Sequence, residues 1–198
     1  MTLKDNVRTC YLHINCKKPV PALKCYFVWQ YFHTLRYLST MIEIKIRKAS
    51  VADLEQLLAF EQDLIKTERP FDSTLKPDPI NYYDLRSLLA SPLAEVVVAE
   101  TDNKIIASGY ARIDRSKPFL KHSNHAYLGF MYVLPEYRGQ GINKRIIDTL
   151  KNWAANQNIT EFSLEVYYDN ISAIKAYEKI GFTRYILEMR YNLDDEKK

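Results

Sequence analysis

Cysteine and glycine are both scarce in this chain, and the cysteines are unevenly placed. Of 198 residues, only five are glycine and three are cysteine. Cys10, Cys16 and Cys25 all lie within the first 40 residues and form no CxxC pair. The rest of the chain therefore cannot carry a disulfide scaffold, and no cysteine pair has the spacing of a zinc site. We expect a cytoplasmic protein without a metal.

Long hydrophobic runs are also missing. No stretch reaches the roughly 18 apolar residues that a membrane-spanning helix needs, so we expect no membrane partner. With 47% hydrophobic and 26% charged residues, the composition is that of a folded protein rather than a disordered one. The length suits one principal domain.

The positive charge of the chain is confined to its beginning. The formal net charge is +4, but residues 1–40 hold six Lys or Arg against one acid, Asp5, while residues 41–198 carry one more acid than base. We therefore expect no nucleic-acid partner for the main domain. Residues 1–40 are interpreted either as an upstream extension, with Met41 as the true start, or as a functional leader.

Hydrophobic periodicity from Met41 onward predicts a mixed α/β architecture. A capping box at Ser50 and Asp53 marks the start of the first helix. We expect helices at 50–65, 82–89, 142–154 and 172–180, and strands at 42–47, 94–100, 104–113, 126–133, 159–168 and 182–193. This order favours a mixed sheet flanked by helices, in the α/β to α+β range, over residues 41–193. The charged tail 194–198 is expected to fray.

A glycine-containing turn joins a predicted strand directly to a predicted helix. Its sequence, VLPEYRGQGINK at 133–144, places Gly139 and Gly141 one residue apart, with Arg138 and Lys144 beside them. Such a turn exposes backbone N–H groups at the positive end of a helix and can bind a phosphate. Neither the nucleotide P-loop nor the dinucleotide GxGxxG pattern fits. By itself, the turn is equally consistent with a simple strand-to-helix connection.

A second segment, LEVYYDNISAIKAYEKIGF at 164–182, follows this turn. Together with the YRGQGI turn it resembles the GNAT superfamily of acetyl-CoA-dependent N-acetyltransferases, over about residues 42–192. The resemblance implies a GNAT-like fold in which the parallel strands 126–133 and 159–168 splay apart to admit acetyl-CoA as cosubstrate.

The same resemblance implies the residues that bind acetyl-CoA. Backbone groups near Met131 and Val133 would contact the pantetheine arm, and Asn170 would help to hold it. The pyrophosphate would lie on the turn formed by Arg138, Gly139, Gln140, Gly141, Ile142, Asn143 and Lys144. Asn143 departs from the small residue usual in the family, and its side chain would either crowd the phosphate or donate a further hydrogen bond.

The chemistry of amine acetylation suggests the catalytic residues. A protonated amine cannot attack a thioester until it loses a proton, so a base is needed, and the departing thiolate needs an acid. Tyr177 matches the family tyrosine that protonates the sulfur. Glu165 is the preferred base, with a purely structural carboxylate as the alternative; Tyr127 and His125 are the reserve candidates.

The sequence thus predicts an N-acetyltransferase that acts on a primary amine of a small molecule or protein, as a monomer or homodimer. A catalytically silent acyl-CoA-binding module is the alternative. The loops 66–80 and 115–124 are expected to shape the acceptor pocket. In the first loop, the acids Glu68, Asp72 and Asp78 either attract a cationic amine or are solvated loop charges.

Removal of residues 1–40 tests the predicted domain boundary. A variant that starts at Met41 is expected to bind acetyl-CoA as tightly as the full chain, as measured by titration calorimetry. Loss of binding would show that residues 1–40 are part of the folded domain.

Overall fold

The computed structural model describes residues 43–193, so the predictions for residues 1–40 and for the tail 194–198 lie outside the described part. The described residues build one five-stranded sheet with strand order β1-β2-β3-β4-β5. The strands are β1 (Lys45–Lys48), β2 (Ala94–Thr101), β3 (Lys104–Arg115), β4 (Asn124–Val133) and β5 (Phe162–Ser163). The first four pair antiparallel, whereas β4 and β5 pair parallel. The predicted mixed sheet is therefore confirmed.

Within residues 43–193, four α-helices flank this sheet and agree with the predicted positions to within a few residues. They are α1 (Leu54–Glu68), α2 (Leu85–Ala90), α3 (Ile142–Ala155) and α4 (Ile171–Glu178). The predicted capping box is present, since Ser50 and Asp53 bond reciprocally at a 3₁₀ turn that leads into α1. The strands β2 and β3 are joined by a hairpin turn at Asp102 and Asn103, and both residues have positive φ as a two-residue hairpin loop requires.

The hydrophobic core lies on both faces of the sheet because β2 and β3 are covered on each side. In β2, Val96 and Val98 pack towards α1 and α2, while Val97 and Ala99 pack towards α3. This alternation follows from the period of two along a strand. From α3, the buried side chains are Ile142, Ile146, Ile147, Leu150 and Ala154, the same apolar face that the sequence predicts.

The sheet ends earlier than the sequence predicts. The strand expected over 159–168 pairs only at Phe162 and Ser163, and residues 182–193 form no strand in the described part of the chain. A further strand needs a neighbouring edge to bond to, and the β4–β5 ladder stops after two residues. The prediction of a terminal strand is thus wrong. Its apolar side chains, among them Tyr185, Ile186 and Met189, are exposed.

A partly buried ion-pair network ties β1 to the start of α1 and to β2. The Arg47 guanidinium donates to both Asp53 oxygens at 2.8 and 2.9 Å and to Glu100 Oε2 at 2.6 Å. The hydrogen bonds from Arg47 lower the pKa of Asp53 from 3.8 to about 2. Because Asp53 is also a helix-capping residue, this pair fixes the entry of α1 onto the sheet.

Replacement of Asp53 by Asn should destabilise the fold at neutral pH by about 2 kcal/mol, which is the value of a pKa difference of this size. The folded-state pKa is depressed, so the ionised Asp53 stabilises the fold above its unfolded pKa and loses this effect as the pH falls towards about 2. Urea unfolding of wild type and variant at about pH 7 and about pH 3 should show the difference shrink. A difference independent of pH would contradict this assignment.

Candidate active site

The parallel pair β4 and β5 opens into a cleft. The two strands are paired only at Ala126–Phe162 and Tyr127–Ser163, and Ala126 N–H donates to the Glu161 carbonyl at 2.8 Å. Beyond this point, β4 continues for six more residues while keeping its pairing with β3 on the other side. The backbone of β4 therefore faces an opening between the two strands, as the resemblance implied.

A bulge in β4 decides which backbone groups face this opening. Phe130 has a φ of 57°, and the register with β3 shifts beside it. After the bulge, the Leu134 N–H donates to the Ile106 carbonyl of β3 at 2.9 Å. Because backbone groups alternate along a strand, those of Met131 and Val133 point the other way, into the opening. Such a positive φ at a non-glycine residue is costly, and strain of this kind clusters at functional sites.

Two residues that the sequence did not single out hold this bulge in place. The Tyr83 hydroxyl accepts a hydrogen bond from the Phe130 N–H at 3.3 Å. Glu61 is fully buried on α1, and its Oε1 accepts the N–H groups of Tyr82 and Tyr83 at 2.7 Å each. Glu61 thus fixes the segment that carries Tyr83. In the sequence, Glu61 is an acid among the apolar residues of a predicted helix, and this is the signal from which its structural role could have been predicted.

The glycine turn begins with a 3₁₀ turn at Pro135–Tyr137 and ends at the N-terminus of α3. Gly139 and Gly141 have φ of 78° and 75°, and a Cβ at either position would meet no atom within 4 Å. The glycines are therefore required by backbone conformation rather than by crowding. This leaves exposed N–H groups at the positive end of a 14-residue helix, which fits an anionic group such as a pyrophosphate.

The side chains of the turn are distributed around this exposed backbone. Arg138 Nε donates to the Val133 carbonyl at 3.0 Å, and its guanidinium lies 5.9 Å from the centre of the Tyr132 ring. Lys144 is exposed and bonded to Asp148, one turn further along α3. Gln140 reaches back to the Glu136 carbonyl, and Ile142 is buried. The Asn143 amide oxygen is buried and accepts no hydrogen bond within residues 43–193.

Asn170 is the N-cap residue of α4, and Tyr177 lies within this helix, which follows β5 in the chain. The Asn170 side chain caps the helix by accepting the Ala173 N–H at 3.2 Å. Tyr177 packs in the same apolar cluster as Met131 and Val133, with its ring 6.0 Å from that of Phe182. Burial raises the pKa of Tyr177 to about 12, with a further contribution from the negative charge of Glu68. Tyr177 is therefore protonated at neutral pH.

Glu165 lies at the base of the same opening and is exposed. Its Oε2 accepts a long hydrogen bond from the Tyr127 hydroxyl at 3.4 Å. Burial, and next the charge of Glu165, raise the pKa of Tyr127 above its usual range. His125 is directed elsewhere, since its Nδ1 lies 3.1 Å from the Ser116 hydroxyl. Tyr127 is thus coupled to Glu165, and His125 is not.

The three acids at 66–80 differ sharply in their surroundings. Asp78 bonds to Arg69, and Asp72 bonds to Thr74 and to Arg190. Glu68 is the last residue of α1 rather than a loop residue. It has no ion pair within residues 43–193, and burial raises its pKa to about 7. Its charge also contributes to the raised pKa of Tyr177.

With this geometry established, comparison with known proteins identifies the class. The family model described as "Acetyltransferase (GNAT) family" matches residues 57–182. The chain therefore belongs to the GNAT acetyltransferase family, and the resemblance predicted from its two motifs is confirmed. The match includes the glycine turn, the opening and most of α1.

Relatives with assigned names include several N-acetyltransferases. N-alpha-acetyltransferase 30 of Saccharomyces cerevisiae is 27% identical over 68% of this chain and 77% of its own length. RimI of Mycobacterium tuberculosis, an N-alpha-acetyltransferase, is 33% identical over 52% of this chain and 61% of its own. N-alpha-acetyltransferase 30 of Schizosaccharomyces pombe is 35% identical, but the match spans only 45% of that protein. The chain thus spans about half of the length of some of these relatives.

Solved structures share the fold at low sequence identity. A protein from Clostridium acetobutylicum described as a predicted acetyltransferase, solved with acetyl-CoA, superposes with a TM-score of 0.61 at 24% identity, over 77% of this chain and 98% of the other. The aminoglycoside N-acetyltransferase AAC(6')-Iy in complex with CoA gives 0.63 at 20% identity, over 76% and 94%. At these identities the likeness supports the fold.

Residues 43–193 show neither a metal-binding cluster nor a membrane-spanning helix. No group of three or more His, Cys, Asp or Glu side chains in this region is placed to hold a metal ion. No helix there is long and apolar enough to cross a membrane.

Substitution of Gly141 by Ala tests the turn. An alanine at a φ of 75° strains the backbone by about 1–2 kcal/mol, and the N–H groups are expected to shift, so the affinity for acetyl-CoA should fall about tenfold or more. Asn158→Ala, at a φ of 61° beyond the other end of α3, is the matched strain control. Equal affinities of the two variants in titration calorimetry would contradict the role of the turn.

Proposed function

We propose that this protein is an acetyl-CoA-dependent N-acetyltransferase that acts on a primary amine of a small molecule or a protein. The observation that carries the proposal is the opening between β4 and β5, with the glycine turn at one end and with Tyr177 packed in the same apolar cluster as Met131 and Val133 of β4. The family membership supports acyl transfer, and CoA-bound structures of the same fold support the cosubstrate.

Acetyl-CoA would enter this opening as an additional strand. The backbone of Met131 and Val133 would pair with the pantetheine amides, with Asn170 on the opposite side of the opening. The pyrophosphate would be held by the N–H groups from Gly139 to Asn143, with charge supplied by Arg138 and Lys144. Lys144 would exchange its bond with Asp148 for the phosphate, a small change for an exposed ion pair.

In the transfer step, Glu165 would first remove one proton from the ammonium of the acceptor, directly or through water. The amine nitrogen then attacks the thioester carbon, the C–N bond forms, and the C–S bond breaks. Tyr177 would give its proton to the departing thiolate and recover one from the acetylated nitrogen. Backbone N–H groups of β4 that face the opening would stabilise the oxyanion. The overall reaction converts the ammonium and the thioester into one amide, one thiol and one released proton.

The named relatives indicate the chemical class of the acceptor, which is an amine. Those relatives include N-alpha-acetyltransferases and an aminoglycoside N(6')-acetyltransferase, so both protein and small-molecule amines are represented. We place the catalytic domain at residues 41–193, in the cytoplasm, as a monomer or homodimer. A silent acyl-CoA-binding module is the alternative, and the presence of both Glu165 and Tyr177 favours the enzyme.

Replacement of Tyr177 by Phe should lower kcat by about 100-fold, because the thiolate loses its proton donor. The affinity for acetyl-CoA should change little. The measurement is free-thiol release from acetyl-CoA with a panel of amines and peptides. Unchanged turnover would exclude Tyr177 as the acid, and CoA binding without thiol release from any acceptor would favour the silent module.

Replacement of Glu165 by Gln should lower kcat and change the acidic limb of the pH–rate profile, since the carboxylate no longer accepts a proton. Glu161→Gln, an exposed acid next to β5, is the matched control. If the profile of Glu165→Gln equals that of the wild type, Glu165 is not the base.

A further inference from the structure

The bulge in β4 sets two residues of this strand against one residue of β3. Phe130 and Met131 both lie opposite Gly109 in the register of the two strands. A Cβ at Gly109 would lie 2.7 Å from Ile146 Cγ2 and 2.8 Å from the Met131 sulfur, so the bulge has room only because this residue is glycine. The bulged residue with positive φ is often glycine as well, but here it is the bulky Phe130 at 57°. Its conformation therefore needs support from other contacts.

Two side chains from different elements supply this support. The Ser108 hydroxyl of β3 is fully buried and donates to the Phe130 carbonyl at 3.2 Å. The Tyr83 hydroxyl, from the segment before α2, accepts the Phe130 N–H at 3.3 Å, and the two rings lie 5.3 Å apart. Both polar backbone groups of Phe130 are thus bonded to side chains, whereas a regular strand residue bonds to the backbone of its neighbour. We call Ser108 and Tyr83 the Phe130 clamp.

The Tyr83 side of the clamp is itself held in place. Its backbone N–H and that of Tyr82 both donate to the buried Glu61 carboxylate at 2.7 Å. Its ring meets the buried ring of Tyr110 edge to face, with the ring centres 5.6 Å apart. The hydroxyl is therefore placed by contacts that do not involve Phe130, so the clamp imposes a conformation on the bulge rather than following it.

Loss of either hydroxyl of the clamp leaves a polar backbone group of Phe130 without its partner. The positive φ then loses its support, and conformations with negative φ at Phe130 become populated. Because successive backbone groups of a strand point in opposite directions, such a change at one residue turns the neighbouring backbone of Met131 away from the opening. A ligand that binds only the bulged conformation then binds less tightly, in proportion to the fraction of molecules that retain the bulge.

We propose that Ser108 and Tyr83 are positioning residues for the cosubstrate: by holding the Phe130 bulge, they keep the backbone of Met131 directed into the opening, where it pairs with the pantetheine arm of acetyl-CoA. This inference rests on the proposed function, since the pairing at Met131 is part of it. Loss of the clamp raises the KM for acetyl-CoA. It leaves kcat and the KM for the amine nearly unchanged, because saturating acetyl-CoA restores the bulged conformation.

Replacement of Tyr83 by Phe removes the hydroxyl and keeps the ring. The dissociation constant of acetyl-CoA, measured by titration calorimetry, should rise about tenfold, as for a bulged fraction reduced to about one tenth. Tyr132→Phe is the matched control, since Tyr132 is a buried tyrosine of β4 whose hydroxyl bonds to Asp63, also at 3.3 Å. Its affinity for acetyl-CoA should remain near that of the wild type.

Replacement of Ser108 by Ala tests the other half of the clamp and provides a second variant if Tyr83→Phe does not fold. It should weaken acetyl-CoA binding in the same way. Thr101→Val, which removes a buried hydroxyl at the end of β2, is its control. Thermal melting verifies that all four variants are folded.

Amide hydrogen exchange of the ligand-free protein follows the bulge itself. The Phe130 amide should exchange faster in Tyr83→Phe than in Tyr132→Phe, and equal rates would show that the hydroxyl does not hold the bulge. Equal affinities of each clamp variant and its control for acetyl-CoA overturn the inference. A lower kcat with an unchanged KM for acetyl-CoA also overturns it, because loss of folded protein alone has that effect.

The same measurements separate this inference from the proposed function. If acetyl-CoA does not bind to the wild type, the proposed function fails and the inference fails with it. If the clamp variants bind acetyl-CoA more weakly than their controls but no amine is acetylated, the clamp is supported and the silent acyl-CoA-binding module replaces the enzyme.

Discussion

The short ladder between β4 and β5 is the constraint on which the site depends. Two parallel strands that pair at only two positions leave the outer edge of β4 without a neighbour among residues 43–193. An unpaired strand edge offers a row of donors and acceptors. The bulge at Phe130 then directs the backbone of Met131 and Val133 to that edge. We propose that acetyl-CoA binds by strand addition to this edge, which the sheet provides before any side chain is considered.

The supports of this edge come from both faces of the sheet. On one face, Glu61 accepts hydrogen bonds from the backbone of the segment that carries Tyr83. The Tyr83 hydroxyl in turn accepts a hydrogen bond from the Phe130 N–H. On the other face, α3 packs its apolar stripe on the sheet and presents its N-terminus at the glycine turn. The site thus has charges of opposite sign at its two ends. The turn is positive and suits a pyrophosphate, while the exposed carboxylate of Glu165, which accepts from the Tyr127 hydroxyl, lies at the other end.

Local sequence patterns were sufficient for much of the fold. The alternation of Val96, Val97 and Val98, the apolar stripe of α3 and the pair Gly139 and Gly141 all reflect rules that act within a few residues. The strand predicted over 182–193 is absent. Its formation depended on a strand edge elsewhere in the fold to pair with, and local sequence patterns do not reveal whether such an edge exists. The same holds for Glu68: it differs from Asp72 because Asp72 bonds to Arg190, 118 residues further along the chain. Which acid remains unpaired is a property of the tertiary structure.

The central claim is that acetyl-CoA adds to the free edge of β4, and amide hydrogen exchange along that strand tests it most directly. Without ligand, the Met131 and Val133 amides should exchange faster than that of Tyr132, which faces β3. With acetyl-CoA bound, protection is expected to rise at Met131 and Val133, and at Gly139 and Gly141 in the turn. Protection that rises elsewhere while these four amides are unchanged would contradict the account.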